Sequence, residues 1–151
     1  MNHAFFDTLG RQRGITMIEL MIVLAIVAII GALAVPSYRD YVVRTNRAEA
    51  ANALLDLAAC QEKVYIKLNR YDNARCGLTA GSRTVESGRY QITMTPANQN
   101  QTFTLTATPL GTQAEDTCGV IGLTDTGTRS AKGGAATDTQ IQDCWRGKKV
   151  S

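Results

Sequence analysis

No residue between Leu20 and Tyr38 carries a charge. As a helix rising about 1.5 Å per residue, this stretch spans about 28 Å, close to the roughly 30 Å hydrocarbon core of a bilayer. It is apolar all round, with no polar stripe, which fits lipid or a fully buried helix and not the surface helix of a soluble domain. The chain is 44% hydrophobic, but that content is concentrated here, and the chain beyond Tyr38 is polar and rich in Thr, Gly and Asn. Without the apolar run roughly 110 residues remain, enough for one small core. A net charge of +3 gives no case for nucleic acid or acidic partners on bulk charge alone.

Cysteine placement narrows the compartment. Cys60, Cys76, Cys118 and Cys144 all lie C-terminal to the apolar run, none in a C-x-x-C pair, and the single histidine, His3, precedes it. That pattern argues against a zinc site. An even number of cysteines downstream of a membrane segment reads as two disulfides in an oxidising compartment, which puts the C-terminal part outside the cytoplasm. Four cysteines allow three pairings, and their number does not choose among them.

Residues 1–14 carry Arg11 and Arg13 and end in Gly14. Two readings are open. A basic segment, an apolar core and Ala32-Leu33-Ala34 have the form of a secretory signal cut after Ala34, leaving a soluble periplasmic binding module that starts at Val35. Alternatively only the leader is removed and the helix from Ile15 stays. Glu19 discriminates. A carboxylate deep in a membrane helix costs on the order of 3 kcal/mol. It either sits at the headgroup boundary, where the helix N-terminus favours a negative charge, or awaits a positive partner. Cleavage after Gly14 would create such a charge, the α-amino group of Ile15.

The run Gly14-Ile15-Thr16-Met17-Ile18-Glu19-Leu20-Met21-Ile22-Val23 resembles the cleavage and methylation motif of type IV prepilins, which carry a class III leader. The chain departs from the usual pattern at Ile15, where the family generally has Phe. The resemblance implies that a prepilin peptidase cuts between Gly14 and Ile15 and methylates the new amino group of Ile15. It implies that Glu19 neutralises the amino terminus of a neighbouring subunit as the helices pack into a filament. Gly31 and Pro36 are expected to kink the helix, since proline removes a backbone hydrogen bond. The implied partners are the peptidase, other pilin subunits and the inner-membrane assembly machinery, with no cofactor. The implied location is the inner membrane, single-pass with the C-terminal part periplasmic, and then an extracellular pilus. A pseudopilin of type II secretion and a DNA-uptake pilin remain alternatives.

Beyond Pro36 the apolar pattern becomes one-sided. Ala50, Leu54, Leu57, Val64 and Leu68 recur at spacings of three, four or seven, widened by Ala58 and Tyr65, and predict an amphipathic helix to about Arg70. Glu49, Asn52, Asp56, Lys63 and Lys67 fall on the other face. Asp40 and Arg44 are placed for a helical ion pair. Pro36-Ser37-Tyr38, Tyr41-Val42-Val43-Arg44, Asn46-Arg47-Ala48-Glu49 and Gln61-Glu62-Lys63-Val64-Tyr65 resemble the PilE-like minor pilins. Helical spacing puts Cys60 on the border of the two faces. The six residues to Cys76 reach about 20 Å, more than the roughly 15 Å back along the helix, so a Cys60–Cys76 bond is feasible. Cys118–Cys144 follows as the second.

Three strands are predicted from alternation: Tyr90, Ile92 and Met94; Phe103, Leu105 and Ala107; Ile121 and Leu123, closed by a turn at Asp125-Thr126-Gly127. The stretch 127–139 is expected as an exposed loop tied down by Cys144. The fold class is therefore α+β, the type IV pilin fold, with a long N-terminal helix on a small antiparallel sheet and a disulfide-bonded C-terminal region. The expected organisation is a leader at 1–14, a membrane and filament-core helix at 15–40 and a globular domain at 41–151.

No enzyme is expected. With the leader gone no histidine remains for acid–base work, and Lys132-Gly133-Gly134 lacks the order of a phosphate loop. Glu115-Asp116 and Asp125 have calcium-ligating chemistry, but a solvated acidic pair is expected. Asn100-Gln101-Thr102 fits a eukaryotic glycosylation sequon and carries no weight in a bacterial chain. The tail residues Trp145, Arg146, Lys148 and Lys149 could meet a phosphate backbone or simply form a solvated end.

Overall fold

The computed structural model describes residues 14–148 and Val150. Residues 1–13, with His3, Arg11 and Arg13, and residues Lys149 and Ser151 lie outside the described residues. The chain divides after Tyr38 into two compact units.

In the first unit, helix α1 (Met17–Leu68) begins and runs uninterrupted through Gly31 and Pro36. Ile and Val are indifferent helix formers in water, because their branched side chains are stiff. In hydrocarbon the balance changes, since every backbone N–H and C=O must be satisfied within the segment. An 18-residue window of α1 has a mean hydropathy of 2.9, and none of it is buried within the structure. Among the described residues no other helix is long and apolar enough to cross a membrane.

In the second unit, the remainder of α1 lies on a five-stranded antiparallel meander. Its strands are β1 (Ser82–Thr84), β2 (Tyr90–Ala97), β3 (Thr102–Pro109), β4 (Ile121–Thr124) and β5 (Arg129–Ser130), in that spatial order. Register follows from the alternation. Ile92 faces Ala107, Met94 faces Leu105, and Leu105 faces Leu123. These side chains form one buried cluster with Ala50, Leu54 and Leu57 of α1. Fully burying a side chain such as Leu54 contributes about 1.5–3 kcal/mol.

The end of α1 is shaped by Asn69, whose left-handed φ of 51° stops the helix at Leu68, short of Arg70. The apolar stripe fades there, and Leu68 is exposed. Gln61 is fully buried on that stripe. Its side-chain amide exchanges two hydrogen bonds with the backbone of Asp72, donating to the carbonyl at 2.9 Å and accepting from the N–H at 3.0 Å. The β2–β3 hairpin tip docks nearby: Asn100 O accepts from Tyr71 N at 2.9 Å. Gln101 donates to Asn69 O and accepts from the Tyr65 hydroxyl. Asn98, Gln99 and Asn100 all have φ between 49° and 65°, a region that asparagine tolerates better than most residues.

Two expectations are corrected. The sheet has five strands, not three, because β1 and β5 are too short to show alternation. The stretch 127–139 is not simply an exposed loop. It contains β5, a buried Ala131, a 3-10 turn at Lys132–Gly134 and the start of helix α2 (Asp138–Trp145). Thr137 and Gln140 cap α2 reciprocally, each side chain binding the other's backbone N–H and satisfying two donors the helix leaves unpaired.

Candidate processing and assembly site

Gly14, Ile15 and Thr16 precede α1 and are non-helical and exposed, so the Gly14–Ile15 bond lies outside the helix, in backbone that a peptidase can bind extended. Beyond its immediate chain neighbours, no atom lies within 4 Å of where a Gly14 side chain would begin, so crowding within this structure does not account for the glycine. Thr16 and Glu19 cap the start of α1. Glu19 N donates to Thr16 Oγ1 at 3.2 Å, and Thr16 N donates to Glu19 Oε2 at 3.4 Å. The T-x-x-E spacing is a capping box, and it holds the carboxylate of Glu19 within the first turn, where the helix dipole favours it. Leu20 N bonds Thr16 O at 3.1 Å and closes that turn. Gly14, Ile15 and Glu19 thus lie together at one helix start, while Gly31 and Pro36 are in the helix interior.

The cysteines are joined as Cys60–Cys76 and Cys118–Cys144, with Cα separations of 6.0 and 5.7 Å. The first bond ties the post-helix loop to α1, and the second ties α2 to the segment before β4. Each stabilises mainly by restricting the unfolded chain, by about 3 kcal/mol.

A buried ion pair went unforeseen. Arg47 and Asp116 meet at 2.7 and 2.8 Å through two guanidinium nitrogens, with side chains 3% and 1% exposed. The Asp116 carboxylate also accepts from Tyr90 Oη, Gln113 Nε2 and Cys118 N. Arg47 Nη1 donates to Lys148 O, holding the C-terminal tail. Asp116 is therefore neither half of a solvated acidic pair nor open to calcium; its lone pairs are committed. Burial, followed by the Asp116 charge, pushes the Tyr90 hydroxyl well above its ordinary pKa. The available signal was periodic: Arg47 and Gln61 both fall on the apolar stripe of α1, and a polar side chain there requires a buried partner. Among the described residues, no cluster of three or more His, Cys, Asp or Glu could hold a metal ion.

Trp145 is buried, donates from Nε1 to Ser130 O at 3.1 Å, and has the Arg129 guanidinium 4.9 Å from its ring centre. The one tryptophan is thus committed to the fold.

Residues 9–35 match the family model described as the prokaryotic N-terminal methylation motif. Residues 36–122 match the model described as type IV minor pilin ComP, DNA uptake sequence receptor. The chain is 36% identical over 104 residues to fimbrial protein EcpC of Eikenella corrodens, covering 66% of this chain and 65% of that protein. It is likewise 36% identical over 108 residues to a fimbrial protein of Pseudomonas aeruginosa, covering 64% and 68%. The chain thus spans about two thirds of the length of these relatives. A solved type IV pilin from Shewanella oneidensis is similar at 25% identity and a TM-score of 0.48, over 58% of this chain and 89% of that one. With the methylation motif at its start and the pilin model across more than half its length, this chain belongs to the type IV pilin family.

Proposed function

We propose that the chain is a structural subunit of a type IV pilus, a minor pilin, serving pilus biogenesis, twitching motility or adhesion. A prepilin peptidase cuts between Gly14 and Ile15 and methylates Ile15. The helix then holds the subunit in the inner membrane, with the globular part periplasmic, until the assembly machinery draws it into the filament. The observation that carries this reading is the helix start. A non-helical Gly14–Ile15 bond stands two residues before a capped turn that presents Glu19. Once Ile15 is the terminus, its amine and Glu19 are charges of opposite sign at the same end of the same helix. In a staggered bundle, a neighbour's amine can then replace the local partner of Glu19.

Incorporation tests it. Glu19→Ala should be cleaved normally but recovered in sheared pili at least tenfold less than wild type. Wild-type recovery would remove the role given to Glu19.

DNA uptake is the second reading, favoured by the description of the family model over residues 36–122. Because Trp145 is covered, contact would fall to the cations Arg129, Lys132, Arg146 and Lys148 and would weaken steeply with salt. Salt-insensitive binding of duplex DNA, or none, would count against it.

A further inference from the structure

The two disulfides differ in what surrounds them. Cys118 and Cys144 are 0% and 1% exposed, so a reagent reaches that bond only after the fold opens. Cys76 is also buried, but Cys60 is partly exposed and lines a surface cavity of about 280 Å³. Helix geometry sets most of the remaining wall. Lys63, Val64 and Lys67 lie three, four and seven residues beyond Cys60, on the same side of α1. Leu68 and Arg75 complete the lining, and Arg75 is brought there by the bond itself, as the chain neighbour of Cys76. Lys63, Lys67 and Arg75 are exposed, and among the described residues no carboxylate lines the cavity. Asp72 approaches Arg75 only to 3.9 Å, and its carboxylate also caps the following turn through Ala74 N.

Three cations around the cavity have two effects. They raise the local concentration of an anion, and they favour a thiolate over a thiol. Thiol–disulfide exchange proceeds by attack of one thiolate and departure of another, so both effects act on the same reaction. Exchange does not require the domain to unfold. Asp72 stays tied to Gln61 by two hydrogen bonds and Tyr71 N to Asn100 O, and Leu78 is buried. Opening the bond therefore releases only the turn at Asn73–Cys76 from α1.

We propose that this cavity admits a small anionic thiol, which exchanges with the Cys60–Cys76 disulfide by attack at Cys60. The thiolate bonds to Cys60 Sγ, the Cys60–Cys76 bond breaks, and its electron pair leaves on Cys76 Sγ, which takes a proton from water. One sulfur is oxidised and one reduced, so no other oxidant or reductant is consumed. The product is a mixed disulfide on Cys60 and a thiol on Cys76. This exchange stands whether or not the chain is cut at Gly14.

The test uses the full chain in non-ionic detergent with 2-mercaptoethanesulfonate, 2-mercaptoethanol and cysteamine, which are anionic, neutral and cationic thiols of similar size. Each rate is divided by that thiol's rate with hydroxyethyl disulfide, which removes intrinsic reactivity. Alkylation and mass spectrometry should find Cys60–Cys76 opened at least tenfold faster than Cys118–Cys144, with the first adduct on Cys60. At low salt the normalised rate should be at least tenfold higher for the anionic thiol than for the cationic one. High salt should screen that difference away. Lys63→Gln with Lys67→Gln changes two exposed side chains; it should lower the ratio severalfold and leave the circular dichroism unchanged. A bond that is merely exposed would give equal normalised rates for all three thiols. Equal rates, a ratio unchanged by the double variant or by salt, a first adduct on Cys76, or both bonds opening together overturns the proposal.

Discussion

Arg47 and Asp116 set the terms at the scale of single residues. Their attraction offsets a desolvation penalty of several kcal/mol per ion, and further hydrogen bonds to Asp116 complete the pair. Removing one partner leaves a buried uncompensated charge. Arg47→Met or Asp116→Leu alone should therefore destabilise the globular unit by about 3–5 kcal/mol, and the double variant by clearly less. Chemical denaturation of all four proteins checks this; purely additive losses would show that the two are not coupled. Nothing in the sequence joins positions 47 and 116, since they lie 69 residues apart along the chain. Only the misplacement of an arginine on an apolar stripe was visible.

At the scale of elements, legibility followed length and alternation. Strands β2 and β3 each alternate over eight residues and could be read directly. Strand β1 has three residues, and its inward position is Arg83, which is exposed, so no hydrophobic period marks it. Helix α2 is only eight residues long, too short for periodicity, yet Thr137-x-x-Gln140 is a capping signature that could have revealed it. Burial first, and then Glu62 as hydrogen-bond acceptor and charge, raises the Tyr71 hydroxyl from 10.0 to about 12. Its folded-state pKa lies above the unfolded value, so its contribution is complete below pH 10 and is lost as pH rises from 10 towards 12. Alkaline stability measurements should show a decline in that window that is shallower in Tyr71→Phe; an identical slope would reject the assignment. Replacing Cys118 and Cys144 by serine, which frees α2 from the segment before β4, should cost about 3 kcal/mol. Calorimetry showing an unchanged midpoint would contradict that.

Across the whole molecule, sequence and structure divide the labour between the two units. The apolar run, Glu19 and the leader could be recognised because membrane chemistry tolerates few alternatives over such a length. Which side chains meet across neighbouring strands was not legible, because a row across strands exists only after register is fixed. Ala32-Leu33-Ala34 kept open a cut that would discard the helix and with it any filament.

On the proposed reading this helix is kept and freed at Ile15. Mass spectrometry of the amino terminus of the mature protein, recovered from membranes and from pili, reads where the chain is cut. The predicted terminus is Ile15 bearing one methyl group on its α-amine. A terminus at Val35, or an uncut leader in assembled pili, would contradict it.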